Sequence, residues 1–552
     1  MKQDRVDAVV VGSGASGGIV AKELAAAGWR VVVLERGPWL NTFGHVETRD
    51  AWVTGIDRVP FGPDPSEVRT VRASDRDRAR VVEPRSTLHA TLPAVVGGGS
   101  VYYGGFAWRF RPETFRLRSL VGPVPGANLD DWPLTYEELD PFYEKAEHEL
   151  GVSGEENPHG PARRKPLPMP PVDDNREAAV LYPAARRLGW KPFHTPLAIL
   201  SRPYRGRPAC TRCPYCNGFG CEVGAKSSTL VTVIPEAIKT GRCRVIPDAF
   251  AREITVNSRG TPDGVVYDRA GARKKIAARV IVVCASATET PRLLLNSKSR
   301  FFPAGLGNER DQVGRNIEND GSFSAHGLFD QVVTDQVGPG VCFAVDDFQF
   351  RADGPGRLGG MISNLHTRPP LGFVARVRLP DDVKPYGTDV KMFYRKYFLR
   401  SIFLYATCHT FPRDANRVDV DPEVRDGRGV PVSRITYHQH ARNAEQEQFM
   451  ADRCAELLRE AGAKSVVTPQ IVRESEAGVS THQLGSCRMG NDPASSVTDR
   501  AGRVHGVPNV YIADGSIMVN PGGMNPSLTI QALAYWVSAA IVRDHRPASK
   551  RT

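Results

Sequence analysis

Residues 7–35 read DAVVVGSGASGGIVAKELAAAGWRVVVLE, and this stretch decides the fold. The apolar run Ala8–Val11 predicts a buried strand, and an apolar helical pattern follows it as far as Ala27. A second apolar strand, Val31–Leu34, ends on the acidic Glu35. A strand, a glycine turn, a helix and a second strand are typical of the first β-α-β unit of a doubly wound α/β fold.

The turn between the first strand and the helix carries a complete G-x-G-x-x-G motif, Gly12-Ser13-Gly14-Ala15-Ser16-Gly17. Gly12 permits the tight turn, Gly14 lets a pyrophosphate approach the backbone, and Gly17 lets helix and strand pack closely. The free N–H groups and the positive dipole end of the helix N-terminus favour phosphate. Glu35 stands about 20 residues further on, where an acid can hydrogen-bond a ribose hydroxyl. The stretch therefore predicts a dinucleotide site.

Three later stretches also have the character of a nucleotide-binding domain. Residues 95–105 contain so many glycines that we expect the backbone to lie against a ligand. A buried strand at Val280–Val283 leads through a small-residue turn into a helix at residues 291–295. Near the C-terminus, a strand at Val510–Ile512 runs into an acidic turn at Asp514.

Between these stretches the sequence changes character, which predicts a second, inserted domain. Residues 154–172 are rich in proline and charge and are typical of a linker or lid. Residues 372–438 alternate apolar and polar positions, with aromatic-rich strands expected from Met392 to Leu404 and a turn at Asp426-Gly427. We expect one discontinuous nucleotide-binding domain and a substrate domain that contains an antiparallel sheet. The predicted pieces are 1–120, 227–320 and 476–552 for the first domain, and 121–226 and 321–475 for the second.

Composition excludes several classes of protein. The net charge is +11, but the basic residues are scattered, so we expect a solvated surface and no nucleic-acid partner. No apolar run approaches the ~18 residues that span a bilayer. The apolar stretch near the N-terminus is already the first strand, so its removal as a signal peptide would destroy the fold. We therefore expect no membrane span and a cytoplasmic location.

Four cysteines lie close together in the sequence, at Cys210, Cys213, Cys216 and Cys221. Such spacing suits an iron–sulfur cluster or zinc, and the alternative is a structural loop with free or paired thiols. The six other cysteines are isolated, and we expect them to be buried core residues or ordinary thiols.

With these motifs placed, the chain resembles the glucose–methanol–choline (GMC) flavoprotein oxidoreductases over nearly its full length. The resemblance rests on five groups of residues: the Gly12–Gly17 motif, the Gly97–Gly105 loop, Trp132–Tyr136, Gly307-Asn308 with Val313–Asn316, and the C-terminal run Thr481–Gly490 with Ala513–Ser516 and Asn525–Thr529. It implies FAD as the dinucleotide. It also implies a Rossmann-like FAD-binding domain of the p-hydroxybenzoate hydroxylase-like type, with the isoalloxazine ring over the antiparallel sheet.

The resemblance also implies which residues form the site. His482 matches the active-site histidine of the family, and Asn525 matches the second catalytic position, as in pyranose oxidases and cholesterol oxidases. Tyr102 stands where some pyranose oxidases carry the histidine that links the flavin, so FAD should be bound non-covalently. The four-cysteine segment resembles that of gluconate-type and glucose dehydrogenase flavoprotein subunits, some of which hold a cluster. The implied cofactor-binding residues are Gly12, Ser13, Gly14, Ala15, Ser16, Gly17, Glu35, Arg36, Gly97, Gly98, Gly99, Ser100, Phe250, Asp514, Gly515, Asn525, Pro526 and Thr529.

Alcohol oxidation explains why a histidine and an asparagine belong together. A hydride passes from carbon to flavin N5 while the hydroxyl loses a proton, and neutral imidazole accepts a proton well near pH 7. An asparagine amide can orient the hydroxyl without adding charge. The branch resembled implies oxidation of a secondary hydroxyl of a sugar, sugar acid, polyol or glycoside, with oxygen or a quinone- or cytochrome-type acceptor. The alternatives are a redox-neutral lyase on the same fold and a non-enzymatic dinucleotide-fold scaffold.

Overall fold

The computed structural model describes residues 5–40, 66–84, 89, 92–351, 357–365, 370–469, 471 and 480–545. Its strands are β1 Val6–Val11, β2 Val31–Leu34, β3 Arg69–Arg72, β4 Arg80–Val82, β5 Phe193–His194, β6 Cys243–Ile246, β7 Phe250–Val256, β8 Pro262–Arg269, β9 Ala272–Val283, β10 Gly321–Leu328, β11 Phe343–Val345, β12 Gly360–Asn364, β13 Ser401–Cys408, β14 Arg417–Arg425, β15 Pro431–Thr436, β16 Ser465–Val467 and β17 Val510–Ile512. Its α-helices are α1 Gly17–Ala26, α2 Leu117–Val121, α3 Tyr136–Leu150, α4 Ala178–Arg187, α5 Val233–Lys239, α6 Glu289–Asn296, α7 Leu371–Arg376, α8 Gly387–Tyr397, α9 Ala441–Glu460 and α10 Ser527–Asp544.

The first sheet joins the separated nucleotide-binding stretches. Strands β6, β2, β1, β9 and β17 lie side by side and parallel, as the doubly wound pattern predicts. The long strand β9 also pairs antiparallel with β8, which continues to β7. Helix α1 packs against both α5 and α10. The continuous apolar runs of β1, β2 and the end of β9 reflect this burial, since a parallel sheet is covered on both faces.

The turn between β1 and α1 is built as its glycines predict. Gly12 has a φ of +93°, and a Cβ there would lie 2.3 Å from the carbonyl oxygen of Cys284. A Cβ on Gly17 would lie 2.0 Å from the carbonyl oxygen of Gly12. Only glycine therefore fits at these two positions, where β1, α1 and the end of β9 come together.

The second sheet has six described strands in the order β16-β10-β13-β12-β11-β5, all of them antiparallel. Helix α9 packs over β10 and β13. A third sheet contains the antiparallel hairpin β14–β15, whose second strand pairs parallel with β3, and β3 pairs antiparallel with β4. The antiparallel sheet and the turn at Asp426-Gly427 are confirmed.

The expectation of aromatic-rich strands from Met392 to Leu404 is wrong over its first half. Residues 387–397 form helix α8, and the strand β13 begins at Ser401. Val390 and Phe393 are buried on one side of α8, while Met392 is 57% exposed. The spacing of three residues between these inward positions is that of a helix, and burial of that face overrides the strand preference of the aromatic residues.

The predicted domain boundaries stay a prediction. β3, from the first predicted piece, pairs with β15, which lies in the stretch predicted to form the substrate domain, and β4 extends that sheet from β3. All six isolated cysteines are buried, as expected. Within the described ranges, no helix combines the length and apolar character that crossing a membrane requires.

Candidate active site

A cavity of about 1170 Å³ lies between the first sheet and the antiparallel sheet. One end is lined by the turn after β1 and by Glu35, at the end of β2. The opposite end is lined by β10, by β13, and by His482 and Asn525 from the C-terminal part of the chain. The predicted dinucleotide site and the predicted catalytic pair therefore line the same cavity.

Glu35 is buried and fixed by the backbone around it. One carboxylate oxygen accepts hydrogen bonds from the amide of Ser13 at 3.0 Å and from its hydroxyl at 2.7 Å. The other oxygen accepts from the amide of Gly37 at 3.0 Å. Burial raises the pKa of Glu35, and these hydrogen bonds oppose that effect. The acid therefore stands at the rim of the cavity in one fixed orientation.

The second glycine-rich segment lies directly against the first. The hydroxyl of Ser13 accepts a hydrogen bond from the amide of Gly97 at 3.0 Å. Gly98 has a φ of +54°, and a Cβ there would lie 2.8 Å from the Cα of Gly14. Ser100 donates to the carbonyl oxygen of Gly97 at 2.6 Å. The two loops thus form one backbone-lined wall of the cavity.

Asp514 is buried where β17 ends, and it orders the turn after β9. Its carboxylate accepts from the amide of Ser286 at 3.0 Å and from the hydroxyl of Thr290 at 2.5 Å. It also accepts from the amide and the hydroxyl of Ser516, at 2.9 and 2.6 Å. Burial raises the pKa of Asp514 against these bonds. Ser286 has a φ of +88°, and this contact holds it in that unusual conformation.

Phe250 lines the cavity at the start of β7, beside a group of basic side chains. The guanidinium of Arg428 lies 4.7 Å from the ring centroid of Phe250, and that of Arg292 lies 5.6 Å from it. Arg36 also lines this end. Each of these arginines is paired with a carboxylate, so this end of the cavity offers the Phe250 ring and main-chain groups to a base.

Most, but not all, of the predicted cofactor residues line the cavity. Thr529 does not, and its hydroxyl is 2.7 Å from that of Tyr143. Four others also lie outside the cavity lining and serve as turn, packing or capping residues: Ser13, Gly17, Gly97 and Pro526. The lining residues are Gly12, Gly14, Ala15, Ser16, Glu35, Arg36, Gly98, Gly99, Ser100, Phe250, Asp514, Gly515 and Asn525.

This arrangement fits FAD. The cavity has glycine backbone and the N-terminus of α1 at one end, where a pyrophosphate needs close approach and free N–H groups. Gly99 has open space beside it, with no atom within 4 Å of the place a Cβ would take. Tyr102 also lines the cavity, and burial raises the pKa of its phenol.

The end of the cavity at His482 and Asn525 contains a chain of hydrogen-bonded side chains. The Nδ1 atom of His482 lies 2.8 and 2.9 Å from the two carboxylate oxygens of Asp320. The Nε2 atom of His482 lies 3.2 Å from the amide nitrogen of Asn525. The indole N–H of Trp108 donates to the amide oxygen of Asn525 at 3.1 Å. The structure therefore brings the two predicted residues together and adds one on each side.

Burial lowers the pKa of His482, but the charge and hydrogen bond of Asp320 outweigh burial, so the net effect raises the pKa above its ordinary 6.5. Tyr405, on β13, also lines the site, and its hydroxyl hydrogen-bonds to Asn525. No sequence motif indicated three residues of this end of the cavity, namely Asp320, Trp108 and Tyr405. The signal for Asp320 was its place immediately before β10, next to the Val313–Asn316 motif.

The four-cysteine segment lies beside the glycine loop. The buried ammonium of Lys226 donates to the carbonyl oxygens of Tyr103, Cys216 and Phe219, at 2.9, 2.7 and 2.6 Å. Burial raises the pKa of Cys216 to about 12. In the part of the chain that the structure describes, no group of three or more His, Cys, Asp or Glu side chains is placed to hold a metal ion. Lys226 ties this segment to Tyr103, which lines the cavity.

Comparison with known proteins agrees with this geometry. Residues 125–320 and 412–534 match the two sequence profiles of GMC oxidoreductase. The chain is 34% identical to paromamine 6'-oxidase of Streptomyces fradiae, covering 98% of this chain and 92% of that protein. It is also 34% identical to 6'''-hydroxyparomomycin C oxidase of Streptomyces lividus, with the same coverage. Pyridoxine 4-oxidase from Mesorbium loti superimposes with a TM-score of 0.64 at 16% identity, over 98% of this chain and 100% of that one.

The fold and the site define an oxidoreductase that acts on CH–OH groups. The chain belongs to the GMC oxidoreductase family. The resemblance found in the sequence motifs is thereby confirmed, as is the α/β fold with a Rossmann-like nucleotide-binding sheet.

Proposed function

We propose that this protein uses non-covalently bound FAD to oxidise a hydroxyl group of a sugar, sugar acid, polyol or glycoside. The observation that carries the proposal is the single cavity with a glycine-lined dinucleotide end and the His482–Asn525 pair at its other end. When bound, FAD supplies a hydride acceptor. The protein supplies a place for the alcohol and an acceptor for its proton.

His482 is the proton acceptor in this proposal. His482 lines the cavity, its Nδ1 atom faces Asp320, and its Nε2 atom faces Asn525. Asn525 presents its amide N–H₂ to the same space, because its oxygen is occupied by the N–H of Trp108. The amide can therefore donate to the substrate oxygen and hold the hydroxyl toward Nε2.

The remaining lining suits a polyhydroxylated ring. Ser322 and Ser324 of β10 offer hydroxyl groups, while Tyr103, Phe106 and Tyr405 offer aromatic faces. Sugars have apolar C–H faces as well as hydroxyl groups, and a mostly apolar pocket with a few placed polar groups recognises both. Two relatives are named as oxidases, one of paromamine at its 6' position and the other of 6'''-hydroxyparomomycin C.

The proposal has two versions, which differ in the carbon that is oxidised. The resemblance to the pyranose-oxidase branch favours a secondary hydroxyl, which would give a ketone. The 6' position of a hexopyranose bears a primary hydroxyl, which would give an aldehyde. We favour the secondary hydroxyl, and identification of the carbonyl product decides between the two.

The experiment is a substrate panel with the purified holoprotein under anaerobic conditions. Paromamine, D-glucose, D-gluconate and xylitol are added in turn, and loss of the oxidised flavin absorbance is recorded. We expect at least one of these compounds to reduce the flavin. The product recovered from that compound should contain two hydrogen atoms fewer than the compound that was added. Readmission of air, or addition of a quinone, then identifies the electron acceptor. Product formation with the flavin still oxidised would instead indicate a lyase, and a colourless protein would indicate a scaffold.

A further inference from the structure

Asp320 is the acidic group closest to the catalytic pair. It stands immediately before β10, and its side chain is 0% exposed. Both of its oxygens lie within 2.9 Å of His482 Nδ1. A buried carboxylate is costly unless it is paired, so this contact is the compensation for burying Asp320.

The far end of the hydrogen-bond chain fixes the orientation of Asn525. An indole N–H can only donate, so the atom of Asn525 that faces Trp108 must be the amide oxygen. The amide nitrogen then faces His482 Nε2 and can only donate to it. Nε2 must accordingly carry a lone pair, and the imidazole proton lies on Nδ1, facing Asp320. Both neighbours of His482 therefore select the same tautomer.

We propose that Asp320 is the positioning residue of this active site: it holds the proton of His482 on Nδ1, keeps Nε2 available to the substrate hydroxyl, and stabilises the imidazolium that forms when Nε2 takes the proton. The proposal deepens the function proposed above and rests on His482 as the proton acceptor. Carboxylate partners of this kind orient imidazoles at other catalytic sites by the same physics.

The other titratable groups around this pair do not take over the role of Asp320. Tyr405 and Cys408 face it from β13 and Tyr437 from the segment after β15, and burial raises the pKa of all three well above their ordinary values. Burial raises the pKa of Glu318 to about 8, and its carboxylate accepts from Tyr437 at 2.6 Å. Burial also raises the pKa of Glu447, on α9, which accepts from Gln439 at 2.6 Å.

The test compares Asp320→Asn with Glu447→Gln, in which a half-buried carboxyl of the same region is neutralised without touching His482. The first measurement is NMR of the ¹⁵N-histidine-labelled holoprotein across pH, with His482 assigned by the signal missing from His482→Gln. We expect the Nδ1–H tautomer and a pKa above 6.5 in the wild type. Asp320→Asn should lower that pKa, because burial then acts without the opposing charge, and Glu447→Gln should leave it in place.

The second measurement is the rate of anaerobic flavin reduction across pH with the best substrate of the panel. The wild-type rate should rise with pH through the raised pKa of His482, since only the neutral form accepts a proton. In Asp320→Asn, the maximum rate of flavin reduction reached at high pH should fall on the order of 10²-fold. The increase of the rate with pH should occur at lower pH than in the wild type. Asp320→Glu, which keeps the charge, should recover part of both effects.

The two measurements separate the outcomes. An Nε2–H tautomer in the wild type, or a His482 pKa unchanged in Asp320→Asn, overturns the positioning role, and the wild-type result stands even if the variant does not fold. A flavin that no panel member reduces, together with the expected tautomer and pKa shift, supports the positioning of His482 and overturns the proposed oxidation instead.

Discussion

At the scale of single residues, the site depends on an imidazole whose two nitrogens have different partners. The Nδ1 atom of His482 faces a carboxylate and its Nε2 atom faces an amide N–H₂. His482→Ala should therefore remove the proton acceptor while leaving FAD bound, because the glycine loops and Glu35 lie at the other end of the cavity. The rate of flavin reduction should fall about 10²–10⁴-fold, the usual contribution of a positioned general base. Anaerobic stopped-flow absorbance measures this rate.

Asn525→Ala serves as the comparison for that variant. It removes one donor and leaves the buried N–H of Trp108 without its described acceptor, so some loss of stability is expected as well, of about 1–3 kcal/mol. Its effect on the rate should be smaller, near the 0.5–1.5 kcal/mol of one net hydrogen bond. A His482→Ala protein that binds substrate and reduces flavin at close to the wild-type rate would show that the proton leaves by another path.

At the scale of elements, the glycines of the turn between β1 and α1 have different roles, which single substitutions can distinguish. A Cβ on Gly14 would meet only the Cα of Gly98, at 3.9 Å, so the protein itself tolerates alanine there. Gly14→Ala should still weaken FAD binding at least tenfold, about 1.4 kcal/mol, because the added methyl group projects where the pyrophosphate approaches the backbone. Fluorescence titration of the apoprotein with FAD measures the affinity.

Gly28→Ala is the matched control for Gly14→Ala. Gly28 follows α1 with a φ of +91° and has no atom within 4 Å of its added Cβ, and it does not line the cavity. Alanine there should cost about 1–2 kcal/mol of stability through backbone strain and leave FAD affinity unchanged. Equal affinities in the Gly14→Ala and wild-type proteins would mean that the pyrophosphate lies elsewhere.

Elements with a strong local pattern were predictable from the sequence, and weakly patterned ones were not. The β1–α1–β2 unit combines two apolar runs with a glycine motif, and the structure has it where the sequence predicts it. In residues 387–397 the aromatic residues favour a strand, but their inward positions follow a helical spacing. Which of the two patterns dominates depends on the face that β10 and β13 present for packing, and this is information that a local window does not contain.

At the scale of the whole molecule, the site residues that the sequence did not predict are those whose hydrogen-bond partners lie far away in the sequence. Asp320 and His482 are 162 positions apart, and Trp108 and Asn525 are 417 apart. His482 and Asn525 could be found because each lies inside a recognisable motif. Asp320 and Trp108 lie outside these motifs, and only the folded chain brings them into hydrogen-bond contact with His482 and Asn525.

The cavity is walled by both the nucleotide-binding sheet and the antiparallel sheet, so cofactor binding should stabilise the molecule as a whole. Apoprotein should show a melting temperature that rises with added FAD, since a ligand at 100 times its Kd adds about 2.7 kcal/mol to the native state. FMN lacks the adenosine half that would contact the glycine turn and Glu35, so it should raise the melting temperature much less. Differential scanning calorimetry with FAD, FMN and buffer compares the three.

The same preparation tests how the flavin is held. The resemblance places Tyr102 at the position in the glycine-rich loop where a histidine would make a covalent link, and a phenol in its place is not expected to make that link. Acid or heat should therefore release all of the yellow colour from the chain, and chromatography should identify it as FAD. Colour that stays with the precipitated protein would contradict non-covalent binding. An equal rise in melting temperature with FMN would contradict the adenosine site at Glu35, because it would show that the flavin ring alone accounts for the stabilisation.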